Sequence, residues 1–219
     1  MGRRNVQPST LTAERPAVLS LLAPKNHGRA SPILRVRRAL AGLLCPELRR
    51  EAAEDPLTGA LNRRGDEAAT TRALAERCEG TRLLRFQADL DNFKALNDAY
   101  GHVAGDAALC LVRRSLEHAT RDVDLVSLAR AGGDEFALTL RVATHADANA
   151  IRDRIEQTVN QALAEAGLGG VGRRRVGLSI GVVDVAGDAT LQAVDAAADA
   201  AARQRKQARG VSKPRRQPR

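Results

Sequence analysis

The sequence predicts an α/β (α+β) fold, a central mixed sheet with one β-hairpin, covered by helices. Three observations lead there. Strand-like apolar runs alternate with helical periodicities from residue 55 to residue 208. Two such runs, 125–131 and 135–142, flank Gly132-Gly133-Asp134-Glu135, and adjacent glycines signal a tight hairpin because they accept positive φ without steric cost. The resulting order, β-α-α-β-β-α-β-α, is a decorated split β-α-β arrangement. That order brings the end of the first strand beside the hairpin turn.

Each element has its own signal. Residues 1–32 mix Pro, Ser, Arg, Asn and Gly without a period and read as a disordered basic leader. Over 33–53, Ile33, Leu34, Val36, Leu40, Leu43, Leu44 and Leu48 recur at roughly helical spacing around an interrupting Pro46, which predicts a connecting helix and a candidate dimer contact. Asp55-Pro56-Leu57-Thr58-Gly59 opens a turn dense in capping residues, leading into a helix through about Arg77. Residues 82–90 form a buried strand with Asp89 at its end. Asp91-Asn92-Phe93-Lys94 turns into a short helix through Asp98, and Gly101–Asp106 is a second turn before a long helix with Leu109, Val112 and Leu116 on one face. Residues 146–166 are helical, with Ile151, Ile155, Val159 and Leu163 at i, i+4 spacing. A strand at 176–183, an Ala-rich helix at 190–208 and a disordered basic tail at 210–219 complete the chain.

Composition bounds the function. A chain of 219 residues makes one substantial domain with attached ends. With Phe86, Phe93, Phe136 and Tyr100 as its only aromatics and no Trp, the core must be built from Leu, Val, Ile and Ala. Cys45, Cys78 and Cys110 are odd in number and lack a C-x-x-C pair, which fits reduced thiols in a cytoplasmic protein rather than a disulfide frame or zinc site. No apolar run approaches the ~18 residues of a membrane span, and Glu14 and Arg15 argue against a signal peptide. The net charge of +9 divides into +8 over residues 1–50, +8 over 203–219 and −7 between them. The basic ends are solvated tails and the middle is acidic, so a nucleic-acid partner is not expected.

The chemistry-bearing residues converge on the hairpin. Asp89, Asp91, Asp134 and Glu135 supply hard oxygen atoms, and magnesium favours few carboxylates, retained waters and substrate phosphates. Lys94 follows Asp89 closely enough for its ammonium to meet a phosphate, and the amides of residues 91–94, at a helix start, form an anion nest. Asn97 and Asp106 carry groups able to read a base edge, since a carboxylate accepts two N–H bonds from a guanine-like edge. Taken singly, each is also an ordinary cap or surface charge; their joint presence points to function.

Four motifs then resemble the GGDEF, or diguanylate cyclase, family: 55–64 (DPLTGALNRR), 89–106 (DLDNFKALNDAYGHVAGD), 130–136 (RAGGDEF) and 178–182 (LSIGV). The resemblance covers Asp55 to about Lys206, and sets a catalytic domain at 54–209. It implies a fold related to the ferredoxin-like, nucleotidyl-cyclase palm, and condensation of two GTP into cyclic di-GMP with release of pyrophosphate by a homodimer that needs Mg2+, with Mn2+ as the alternative. Carried over by motif position, Asp89, Asp134 and the Leu90 carbonyl match the metal ligands. Asp134 also matches the proton acceptor, Glu135 joins it as a catalytic contact of open role, and Lys94 matches the lysine that stabilises the transition state. Asn97 and Asp106 match the guanine readers, His102 a substrate contact, and Phe93 the turn that holds the terminal phosphates. Gly132 and Gly133 let the nucleotide approach, and Lys206 matches a phosphate contact. Cyclic di-GMP receptors would be the downstream partners.

Three departures qualify the resemblance. In the last helix Arg203 stands where the family has Tyr, and Arg209-Gly210-Val211 replaces Gly-Arg-Asn. The inhibitory product site would be Arg121 and Asp124, but two extra residues separate this pair from the glycines. Ala60 replaces a Leu. The rival reading is a catalytically weak domain that binds GTP or cyclic di-GMP, and a third is a basic-tailed nucleic-acid binder.

Overall fold

The structure is a computed structural model and describes residues 52–76, 78–120, 124–185 and 189–209. The leader, nearly all of the expected 33–53 helix, Arg77, Arg121 and the tail lie outside those residues. Eleven elements are described: α1 (Arg63–Ala75), β1 (Thr81–Asp91), α2 (Phe93–Tyr100), α3 (His102–Ala119), β2 (Asp124–Gly132), β3 (Glu135–Ala143), α4 (Ala148–Glu165), β4 (Gly170–Val171), β5 (Arg174–Arg175), β6 (Gly177–Asp184) and α5 (Leu191–Ala208).

The main sheet has the order β2-β3-β1-β6. Every strand pair in it is antiparallel, which corrects the expectation of a mixed sheet. The cause is topological. The α2–α3 crossover leaves β2 running parallel to β1, but the hairpin folds β3 into the slot between them. The only parallel pairing among the described residues is an isolated bridge, Leu61 to Ala129. Both sheet edges are covered, as exposed edges invite unwanted pairing. On the β2 edge, Leu61 donates to the Leu128 carbonyl at 2.9 Å and accepts from the Arg130 amide at 2.8 Å. On the β6 edge, Asn160 Oδ1 accepts from the Leu178 amide at 2.7 Å, and Glu156 accepts from the Ile180 amide at 2.8 Å.

Strand alternation divides β1 between two different interiors. Leu84, Phe86, Ala88 and Leu90 face an apolar core built with Leu109, Val112 and Leu116 of α3 and Ile155, Val159 and Leu163 of α4. The intervening Arg85, Gln87, Asp89 and Asp91 face α1 and α5. Arg85 is 1% exposed. It donates from both terminal nitrogens to Asp66 of α1, at 2.9 and 2.6 Å, and from Nε to Asp195 of α5 at 2.8 Å. Gln87 also reaches Asp195, at 3.1 Å. Thr139 and Ser127 complete the network, the first accepting from Arg85 at 2.9 Å and the second donating to Asp66 at 2.7 Å. Nearly every polar group of this second layer is thus partnered, as burial demands.

Local corrections follow from single residues. Gly101, at φ +82, turns the chain at one position, so α3 begins at His102, and His102 and Asp106 are helical rather than part of a six-residue turn. The β4–β5 hairpin, with Gly172 at φ +57, is too short to carry a periodic signal. Within β2, one-residue slips occur between Leu125 and Ser127 and between Arg130 and Gly132. Such bulges absorb extra residues without turning the strand over.

Candidate active site

The first motif strand and the hairpin turn meet at one end of the sheet. Asp89 of β1 lies opposite Glu135 of β3 on one side and Ser179 of β6 on the other. The Leu90 amide donates to the Asp134 carbonyl at 3.2 Å, which sets Asp134 beside the Asp89–Leu90 step. The two acidic points, 45 residues apart in the chain, are therefore neighbours because β3 pairs directly with β1.

The turn is held differently from the expectation. Neither Gly132 nor Gly133 has a positive φ, and a Cβ at Gly133 would meet open space. The turn is fixed instead by Arg130, whose guanidinium donates to the Gly133 carbonyl at 3.0 and 2.8 Å. The same guanidinium meets both carboxylate oxygens of Asp55 at 3.2 Å. Asp55 in turn accepts from the Thr58 amide at 2.9 Å and hydroxyl at 2.7 Å. Burial pushes the Asp55 carboxyl up, but the Thr58 hydrogen bonds and Arg130 more than offset it and hold the group below the usual carboxylate range. Sequence reasoning assigned Arg130 no role, although a charged residue in an otherwise apolar strand was a visible signal.

On the α5 side, Lys206 forms ion pairs with Asp89 and, at 2.7 Å, with Asp91. Asp91 is buried and also accepts from Ser179 Oγ at 2.7 Å. It therefore serves to hold Lys206, rather than standing open as a ligand. Burial pulls the Lys206 ammonium down, yet hydrogen bonds to Asp89 and Asp91 leave it raised overall. Asp89, Glu135, Ser179, Asp199, Arg203 and Lys206 line a cleft of about 120 Å³. Partial burial pushes the Asp199 carboxyl up, Arg203 pulls against it, and the Asp195 and Asp89 carboxylates reinforce the rise.

At the other side of β1 the chain enters α2 through Asn92, the only non-glycine described residue with positive φ, +59. Asparagine tolerates that region, and its side chain donates to the Arg175 carbonyl at 2.7 Å instead of capping α2. The first amides of α2, around Phe93 and Lys94, thus carry no side-chain cap, whereas α1, α4 and α5 are capped by Asn62, Asp147 and Thr190. Asn97 and Phe93 converge on Gly105, where a Cβ would fall on Asn97 Oδ1. That Oδ1 is buried and has no hydrogen-bond partner among the described residues. His102 and Asp106 are exposed on the first turns of α3.

Some expected residues are elsewhere. The Lys94 side chain is 88% exposed and turns along α2 to Asp98, at 3.1 Å. Asp124 starts β2 at the far end from the turn, roughly 26 Å away by strand rise, and is ion-paired with Arg141 at 3.0 Å. Arg209 packs on Glu156 and donates to the Leu178 carbonyl at 3.3 Å. No group of three or more His, Cys, Asp or Glu side chains is close enough to hold a metal among the described residues. The carboxylate residues that meet at this corner are Asp89, which is paired with Lys206, and Asp134, whose backbone carbonyl meets the Leu90 amide. Magnesium fits such a set, because substrate phosphates and water supply its remaining ligands.

Comparison with known proteins agrees with this geometry. Residues 52–211 match the family model described as diguanylate cyclase, GGDEF domain. Diguanylate cyclase DgcP of Escherichia coli (strain K12) is 35% identical over 133 residues, covering 60% of this chain and 37% of that protein. Cyclic di-GMP phosphodiesterase PdeB of Shewanella oneidensis is 37% identical over 142 residues, covering 64% of this chain and 15% of that protein. The chain thus spans little more than a third of the first relative and much less of the second. Among solved structures, diguanylate cyclase SiaD of Pseudomonas aeruginosa, crystallised with its activator SiaC, superposes with a TM-score of 0.60 at 28% identity, covering 80% of this chain and 66% of that one. The matching motifs, the matching fold and the family model together establish that this chain belongs to the GGDEF diguanylate cyclase family.

Proposed function

We propose that the chain is an active, magnesium-dependent diguanylate cyclase that works as a homodimer on GTP. The observation that carries this reading is the β1–β3 register, which sets Asp89 against Glu135 and Asp134 beside Leu90. In the proposed reaction the 3′-oxygen of one GTP bonds to the α-phosphorus of the other. The bond to pyrophosphate breaks, the hydroxyl proton leaves through Asp134, and a second such step closes the ring.

Asp89, Asp134 and the Leu90 carbonyl would hold Mg2+, which when bound neutralises charge on the phosphates. Asn97 and Asp106 orient the guanine, and the unpartnered Asn97 Oδ1 supports this because a buried acceptor gains most from a ligand N–H. His102, exposed on the first turn of α3, contacts the substrate beside Asp106. The uncapped α2 amides at Phe93 take terminal phosphates, Gly132 and Gly133 leave the turn open, and Lys206 flanks the phosphates from α5. Lys94 exchanges Asp98 for the reacting phosphate on its flexible stem. Phosphoryl transfer requires mainly positioning and charge stabilisation, and these groups provide both.

A second reading, a GTP or cyclic di-GMP binding module, is favoured by one observation: Arg209 is engaged with Glu156 rather than with the cleft. Incubation of the full chain with GTP and Mg2+ separates the two. The expected result is cyclic di-GMP and pyrophosphate from the wild type, with Asp134→Ala losing at least about a hundredfold in rate while still binding GTP. Nucleotide binding without product from a verified dimer would leave the binding module standing.

A further inference from the structure

Arg203 has no part in the scheme above, yet it lies in the cleft. It sits on α5 three residues before Lys206, a spacing that makes the two side chains neighbours on one helix face. Both line the cleft of Asp89, Glu135, Ser179 and Asp199. The other basic groups near the end of α5 are committed. The Lys206 ammonium holds Asp89 and Asp91, Arg205 bonds to Glu156 at 2.9 Å, and Arg209 is bound to Glu156 and the Leu178 carbonyl. The cleft walls also carry Glu135 and Asp199, so an entering phosphate needs a cation there.

We infer that Arg203 is a substrate-positioning residue whose guanidinium takes the terminal phosphates of GTP on the α5 side of the cleft. The inference rests on the cyclase reading. A planar guanidinium engages two phosphate oxygens at once, whereas a tyrosine at this position would offer one neutral donor. On the cyclase reading the base stays against Asn97 and Asp106, and the terminal phosphates lie between the α2 amides and Arg203.

The test is calorimetric binding of GTP, GDP and GMP, with Mg2+, to the full-length wild type, Arg203→Ala, Arg203→Lys and Arg203→Tyr, alongside steady-state kinetics. Arg203→Ala is expected to weaken GTP by about tenfold or more, the effect of losing a charge-assisted hydrogen bond, and to leave GMP unchanged. KM should rise more than kcat falls, Lys should recover part of the affinity, and Tyr should not. Equal weakening of GTP and GMP would reassign Arg203 to a structural role, and unchanged GTP affinity would remove it from the site; either overturns the inference. A wild type that binds GTP and makes product while Arg203→Ala matches it sinks this inference alone. A wild type that binds no guanine nucleotide sinks the cyclase reading and this inference with it.

Discussion

A single guanidinium connects the first motif of the domain to the third. Arg130 reaches the Gly133 carbonyl with two nitrogens and Asp55 with its remaining one, and both Arg130 and Asp55 side chains are 17% exposed. The turn that bears Asp134 is therefore positioned by a side chain from within its own hairpin, anchored on a loop about 75 residues earlier. Asp55 has a depressed pKa, so its contribution to stability is complete above the unfolded-state value of about 3.9 and is lost as pH falls through the lower folded value. Asp55→Asn should accordingly unfold at lower urea concentration than the wild type near neutral pH, with the gap narrowing progressively below about pH 4. A gap of constant size from pH 7 to pH 3.5 would show that the Asp55 charge is not what holds the turn.

Helix α5 carries the other half of the site, and its seat depends on β6. Val194, Ala198, Ala202 and Lys206 form its buried stripe at i, i+4 spacing. Small residues there let the helix backbone rest on Gly181, where a Cβ would fall on the Ala198 carbonyl and the Ala202 amide. Gly181→Ala should therefore displace α5, cost about 1–3 kcal/mol and lower GTP turnover by shifting Lys206 away from Asp89. A thermal melt and a rate assay check both parts, and an unchanged melting temperature with unchanged rate would refute this account of the packing. The element order, the hairpin and the meeting of Asp89 with the glycine turn were legible in the sequence, because apolar periodicity and turn residues are local signals. Residues 82–90 were legible as a buried strand, but the partners of its polar face were not. Arg85, Gln87 and Asp91 are polar yet buried, because α1, α5 and β6 supply partners distant in sequence. Strand direction was missed for the same reason: local pattern does not say that β3 enters between β1 and β2. Lys94 and Arg209 matched or approached the family pattern by position, but the ion pairs they form with Asp98 and Glu156 depend on rotamers that spacing does not encode.

At the scale of the whole molecule, what matters is how many substrates one domain can hold. On the proposed reading the described residues offer one set of groups for one nucleotide: Asp89 and the Asp134 turn, the uncapped start of α2, and Asn97 with Asp106. The proposed product contains two nucleotides related by a two-fold axis, each linked through its 3′-oxygen to the other's phosphate. A symmetric assembly that forms it must place two copies of the site face to face, in an isologous dimer in which each copy presents the same surface. No helix among the described residues is long and apolar enough to cross a membrane. The 33–53 periodicity is the sequence feature that offers a dimer contact. Turnover per protomer should therefore rise with protein concentration, and the midpoint should match the dimer dissociation constant from sedimentation. Removal of residues 1–50 should leave a folded domain that binds GTP as before, while moving that midpoint to higher concentration. A rate per protomer independent of concentration across a range where the protein is monomeric would exclude two-copy catalysis, and an unmoved midpoint after truncation would place the dimer contact within the domain itself.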